Sequence, residues 1–470
     1  MANHGIFVTE KNTAVSTPVE VPSGIPFVVG AAPVQSADNP ATAGVPVYCT
    51  SWDEAVDRLG YSDDWSKYSI CDAMYSHFKL YAMQPIIFDN VLDVTTMKEA
   101  VTASNKTVTD HKVELDVEAI NDATLVVKNG EDTLVKDTDY TVYYSGEKLV
   151  IELLTASAAY SAVTLNVAYS KVTPAAVNAA AVVSGIDNAD LCMTTLGVVP
   201  DLLLAPGYSE EPTVAAALVA KASALNGMFR AKALVDISTN ASRGATVYTN
   251  AVALKNTNSL TDKDMVVCWP MVKLGDKVFH MSTHIAGVIG ATDTEYEAPY
   301  ASPSNHTMRI DALVIESGAE VLLTLAQANL LNANGIMTAL NFMGGFVAWG
   351  NYTACYPTNT DVKDYFLCVS RMFDWVANTL ITTFWARLDT PMTRRMVDSI
   401  VDSANIWLNG LTGSEYILGG RVEMLESENP ITNLMAGIVK FHVYITPPSP
   451  AQEIDFSLEY DASYVEAAFA

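Results

Sequence analysis

The segment Gly207-Tyr208-Ser209-Glu210-Glu211 follows an apolar run and precedes an Ala-rich one, where a GxSxG elbow would present a serine for acyl transfer. Its final glycine is replaced by Glu211. That glycine permits the close packing of a strained turn, so the residue types favour Ser209 or Glu211 as the cap of a helix begun by Pro212. The acids would then sit at the positive end of its dipole. His280 and His284 are four apart, as two metal ligands on a helix face would be, but the glutamate of HExxH is missing. Residues 277–285 read as strand followed by loop, which makes both ordinary histidines. Asp137 and Asp139 imitate the start of a calcium loop, yet Val142 holds the glycine position and Lys148 the bidentate glutamate position. A turn entering a strand is expected there. Neither Walker A nor GxGxxG occurs, so no phosphate cradle is expected. The expectation is no catalytic residue, no metal site and no cofactor, with a hydrolase using Ser209 as the rival reading.

The surrounding elements divide the chain by texture. Residues 1–30 open with the extended run Gly5-Ile6-Phe7-Val8-Thr9-Glu10, pass through Pro18 and Pro22, and reach a strand over 26–30. Ser51 followed by Glu54 matches a capping box opening a helix through Leu59, with a further helix over 70–81 and a strand over 85–90. From about 100 to 172 the pattern alternates at 113–117, 124–127, 140–144, 149–153 and 163–169, with turn dipeptides Asn129-Gly130 and Ser145-Gly146 between. This predicts a small inserted β-sandwich. Apolar strands at 201–204 and 231–236 flank a helix over 212–224, the pattern of a βαβ crossover. Helices are predicted over 319–332, 362–387 and 390–411, the last with Thr390 as N-cap and Pro391 at its first position. A strand over 440–446, the break Pro447-Pro448-Ser449-Pro450 and a final alternating strand close the chain. In that strand Ile454, Phe456, Leu458 and Tyr460 share one face.

The fold class predicted is therefore α/β (α+β) and multidomain: a mixed-sheet core with helices, an inserted all-β sandwich-like domain and extended terminal strand arms. The boundaries are an arm at 1–24, core at 25–99, insertion at 100–172, α/β core at 173–389, a C-terminal domain at 390–446 and an arm at 447–470. Apolar residues make up 50% of the 470, ample for folded cores. Charged residues are only 17%, with 53 acids against 27 Lys and Arg and a net charge of −26. Binding to phosphate backbones needs clustered cations, so direct nucleic-acid binding is excluded. Few charges suit a surface covered by other subunits, although an acidic monomer is equally compatible. The uncharged stretch 321–360 is interrupted by Gln327, Asn329, Asn332, Asn334 and Asn341, which argues for buried helix and strands and against membrane insertion. The start of the chain lacks a basic and then apolar leader, so no secretion route is expected. Six dispersed cysteines without CxxC read as reduced, partly buried thiols.

The termini carry most information. Each ends in a short alternating strand joined to the body by a proline-containing segment, without a local hairpin partner. Such strands either fold back on their own sheet or add to a neighbour's. Together with other segments they resemble a known family. Gly5 to Glu10, Ser16-Thr17-Pro18 and Ile25-Pro26-Phe27-Val28-Val29-Gly30 are similar to the opening of contractile phage tail sheath proteins. Pro200-Asp201-Leu202-Leu203-Leu204-Ala205-Pro206-Gly207-Tyr208-Ser209 resembles that family's central signature. Leu330-Leu331-Asn332-Ala333-Asn334-Gly335-Ile336, Trp349-Gly350-Asn351-Tyr352-Thr353 and the ending 447–460 resemble its later blocks. The likeness spans most of 1–95 and 173–470, and the order of the motifs is its strongest part.

That resemblance implies a non-enzymatic subunit that polymerises as helical rings around a tail tube and contracts to drive the tube through a target envelope. It implies a homo-oligomer linked by strand exchange, with Ile6, Phe7 and Val8 in one donated strand and Ile454, Phe456, Leu458 and Tyr460 in the other. Tube protein, baseplate and tail terminator are the implied partners, and the location is a virion tail or bacteriocin particle assembled in the host bacterial cytoplasm. The β-rich insertion looks like one of the family's variable, outward displays. Arg394 and Arg395 are candidates for tube contact by local charge complementarity. A surface adhesin with an Ig-like insertion is the third reading.

Overall fold

Eight short runs rich in Val, Ile, Leu and Phe pair into the central sheet of the computed structural model, which describes residues 18–469. Ile6, Phe7 and Val8 lie outside the described residues. The strands are β1 (Pro26–Gly30), β2 (Val47–Cys49), β3 (Ile86–Asn90), β4 (Leu202–Leu204), β5 (Lys232–Asp236), β6 (Met265–Cys268), β7 (Ile336–Asn341) and β8 (Phe346–Trp349). Their spatial order is β8-β7-β6-β5-β4-β1-β3-β2. Neighbours from β7 to β3 run parallel, while β8 and β2 are antiparallel edges. Every residue of β1, β3, β4, β5 and β6 is buried. Helices cover both faces, which is why these strands read as unbroken apolar runs. The predicted βαβ unit is present as β4, helix α1 (Pro212–Ser223) and β5, with Leu203 opposite Ala233.

The insertion leaves after β3 and returns before the helix Ala179–Asp187. Its first and last strands, Lys98–Thr107 and Thr164–Val172, pair antiparallel, so its entrance and exit lie side by side. The four-stranded sheet they start faces a three-stranded one made of Lys112–Asp116, Lys148–Leu153 and Tyr140–Ser145. Val113, Leu115, Val127, Leu149, Ile151 and Val167 form a core between them, separate from that of the main sheet. Gly130 and Gly146 both have positive φ in their hairpin turns, as the two dipeptides implied.

Helices α2 (Met281–Tyr296), α3 (Leu367–Phe384) and α4 (Arg394–Gly413) supply the side chains that bind the N-terminal segment and the sheet ends together. Several expectations need correction. The strand expected at the start of 277–285 is present as Lys277–Phe279, but the loop expected after it is helix from Met281: His280, with extended backbone, directly precedes α2 and His284 lies within it. The helix predicted over 319–332 spans Leu325–Asn332, because Thr324 and Gln327 form a full capping box there. The stretch 362–387 is broken at Phe366, which has extended backbone. Helix α4 starts at Arg394 and not near Thr390, since the Thr393 hydroxyl accepts from Met396 N at 3.2 Å. Pro391 therefore precedes it. The run 453–460 is in no sheet among the described residues, and a helix, Ser463–Phe469, follows it.

Candidate functional site

In an open parallel sheet, ligands usually bind beyond the carboxyl ends of the strands where the strand order reverses, here between β1 and β4. That place is filled by a buried polar lock. Asp236 at the end of β5 accepts Ser282 N (2.9 Å), Ser282 Oγ (2.5 Å) and Ser209 Oγ (3.3 Å), and its own N–H donates to Ser209 Oγ at 3.1 Å. Ser209 is 1% exposed and its hydroxyl is committed to a carboxylate, so it has no access to a substrate. Asp72 accepts the backbone N–H of His280 (2.9 Å) and the Thr283 hydroxyl (2.9 Å), and pairs with His280 Nδ1 at 2.8 Å. Burial disfavours the His280 imidazolium, but the hydrogen bond and charge of Asp72, then Asp236 and Glu210, outweigh it and raise its pKa to about 9. His284 is the opposite case, pushed down to about 3 chiefly by burial, with Nδ1 at 2.9 Å from the Tyr81 hydroxyl. Gly207 has φ +78, and a Cβ there would lie 3.6 Å from His280, so glycine is required by the backbone and not by a nucleophile elbow. Glu211 occupies the N-cap of α1 without a side-chain cap bond and instead meets Arg243. No group of three or more His, Cys, Asp or Glu able to hold a metal exists among the described residues.

Helix α3 ties the N-terminal segment to this core. Arg371 reaches Asp293 of α2 (2.8 and 2.5 Å) and Asp201 (2.7 Å), and Asp201 in turn accepts Gly24 N and Ile25 N. Burial opposes the guanidinium charge, yet Asp293 and Asp201 hold its proton above the ordinary value. One turn on, Asp374 pairs with the buried Lys232 at 2.8 Å, and Asp264 pairs with it at 2.6 Å. Residues 18–25 lie as a strap across α3: Val19 N donates to Thr383 (3.0 Å), Val21 N to Thr379 (3.4 Å), and Trp375 Nε1 to Val21 O (2.7 Å). Trp407 of α4 adds a bond to Glu20 at 2.8 Å. The expectation of an extended segment between Pro18 and Pro22 holds, but its partners were not legible, because they lie more than 350 residues away.

A separate two-stranded sheet, β9 (Gly419–Glu423) and β10 (His442–Thr446), packs beside α4. Val422, Val443 and Ile445 join Trp407, Leu408, Leu411 and Trp375 in one apolar cluster. Sequence reading missed β9 because Gly419 and Gly420 break its alternation. The chain then runs out through 447–461 without regular structure. Ile454, Phe456, Leu458 and Tyr460 are strongly exposed, Leu458 at 96%. Tyr352 does bond Gln452 at 2.7 Å at the base of this tail. The terminal helix had a visible signal in Asp461, whose carboxylate accepts Ser463 N at 2.9 Å. Arg394 and Arg395 are both exposed at the start of α4, Arg394 lying 3.7 Å from Asp398.

The six cysteines are all buried and free, as expected. No helix among the described residues is long and apolar enough to cross a membrane.

No protein-family model matches the chain. The tail sheath protein of Burkholderia phage BcepMu is 24% identical over 485 aligned residues, covering 98% of this chain and 97% of that protein. The major tail sheath protein of Serratia phage KSP20 is 29% identical over 146 residues, 31% of this chain and 35% of its own. Among solved structures, the contracted sheath of the PVC extracellular contractile injection system superposes with a TM-score of 0.59 over 99% of both chains at 13% identity. The contracted helical sheath of the anti-feeding prophage superposes with a TM-score of 0.59 over 98% of this chain and 100% of that one, at 15% identity. The resemblance read from the residues is thereby borne out, and an enzyme is not favoured.

Proposed function

We infer that this chain is a structural subunit of a contractile tail sheath, which polymerises around an inner tube and contracts to drive it through a cell envelope. The supporting observation within the molecule is a mismatch within its C-terminal part. The tail presents alternating Ile454, Phe456, Leu458 and Tyr460 without a strand partner among the described residues, while β9 and β10 form a sheet of only two strands. A two-stranded sheet is marginal by itself, and each free edge is a template for another strand. Strand addition from neighbours, by the tail and by Ile6, Phe7 and Val8 of the N-terminal arm, would complete it, with backbone hydrogen bonds for affinity and alternate side chains for fit. Exchanged strands keep subunits linked while rigid cores slide, and new core contacts supply the energy without nucleotide hydrolysis.

Arg394 and Arg395 support tube contact: both are exposed cations at a helix N-terminus, where they oppose its dipole, and among the described residues only Arg394 has a local carboxylate beside it, Asp398 at 3.7 Å. Baseplate and tail terminator are the further partners of such a sheath, in a phage tail or bacteriocin particle assembled in the host cytoplasm. The test is truncation. Chains lacking residues 1–17 or 451–470 should remain soluble with native melting and form no hollow cylinders in negative stain. Normal cylinders from both truncations would overturn strand exchange.

A further inference from the structure

We propose that the tip of the β7–β8 hairpin, Phe342 and Met343, inserts into an apolar groove at the opposite end of the central sheet of a neighbouring copy. This rests on the sheath reading and adds a contact to it. Turn tips are normally polar or small, yet Phe342 is 62% and Met343 90% exposed, followed by Gly344 and Gly345 at positive φ. No charged residue occurs from 321 to 360, so the tip is apolar and neutral. The groove, of about 440 Å³, is lined by Val21, Met193, Met228, Phe229, Ile381 and Trp385 among others. Its size is that of a natural ligand cleft.

Position argues for a second copy as the occupant. Pro22, Val199 and Phe229 line the groove and lie just before β1, β4 and β5, so it sits at the amino ends of the parallel strands. The hairpin tip follows the carboxyl end of β7, which is parallel to them. Knob and hole thus face opposite ends of the sheet, and one copy's tip meets the next copy's groove head to tail. Such a heterologous contact repeats in one direction and, with a rotation that does not close a ring, builds an open helix, as a sheath requires. Charge selects this occupant over the exposed C-terminal tail. Glu20 is the one charged residue among the described residues lining the groove, and the tail brings Glu453, Asp455, Glu459 and Asp461. A neutral tip avoids that repulsion. Val19, at the start of the described strap, also lines the groove, so this contact borders the proposed arm exchange.

The test uses the full-length chain in two ways. With Met343→Cys and Met228→Cys in one chain, oxidised assemblies should run on denaturing, non-reducing gels as a ladder of multimers that neither single substitution produces, the six native cysteines being buried. Phe342→Ser with Met343→Ser should leave subunit melting unchanged and lower the pelletable cylinder yield roughly tenfold. Doubly substituted cylinders without a ladder would overturn the contact. So would a serine variant that assembles like the native chain. Failure of the native chain itself to form cylinders would instead strike the sheath reading.

Discussion

His280 is a histidine whose partners, Asp72, Asp236 and Glu210, hold a proton that its burial would expel. With a folded pKa of about 9 against about 6.5 unfolded, its stabilisation is complete below pH 6.5 and is lost as pH rises toward 9. Urea unfolding at pH 6 and pH 9 should differ by up to about 3 kcal/mol from this residue, and His280→Gln should remove that part of the slope. Arg371 is the second decisive residue, because it neutralises Asp293 while orienting the aspartate that holds Gly24 and Ile25. Arg371→Ala strands a buried carboxylate and should cost about 3–5 kcal/mol, read as a lowered melting temperature. Both residues were present in the sequence without a motif around them. Their roles depend on carboxylates 44 to 208 residues away, a separation that spacing rules do not span.

At the scale of elements, α3 holds the strap at Val19 and Val21, near the start of the described chain. Thr379 and Thr383 accept its N–H groups one turn apart, so Thr379→Val with Thr383→Val leaves two donors without these partners. Each such bond is worth about 1 kcal/mol. Amide exchange at Val19 and Val21 should accelerate by roughly tenfold while global melting moves little. Regular elements were well read from sequence where one local rule governed them: the βαβ unit by apolar runs, the insertion by alternation and Gly turns. Element starts were less legible. Thr390 and Thr393 both precede the same apolar face, and only the hydrogen bond from Met396 chooses between them. The tail marks the other limit, since alternation in 453–460 signals strand capacity, yet no strand pairs with it among the described residues.

For the whole molecule, the net charge of −26 makes subunits repel one another as they approach. Salt screens this, with a Debye length falling from about 10 Å at 0.1 M to about 3 Å at 1 M. Cylinder formation by the purified chain should therefore speed up as salt rises from 0.05 to 0.5 M, measured by light scattering (roughly these concentrations). Slower assembly would mean that attraction between opposite charges dominates the interfaces. The 17% charged fraction, first compatible with an acidic monomer, now accompanies exposed apolar sites at the hairpin tip, the groove and the tail.

Sequence alone determined the fold class, the inserted all-β unit, the absence of an elbow glycine after Ser209 and the alternating tail, because each depends on residues within a few positions of one another. Tertiary structure alone decided that Ser209 and His280 belong to a buried lock, that α3 clamps the strap, and that groove and hairpin tip face opposite ends of one sheet. Those are relations between distant segments, and the chain's folding, not its local chemistry, brings them to hydrogen-bonding distance or sets them apart.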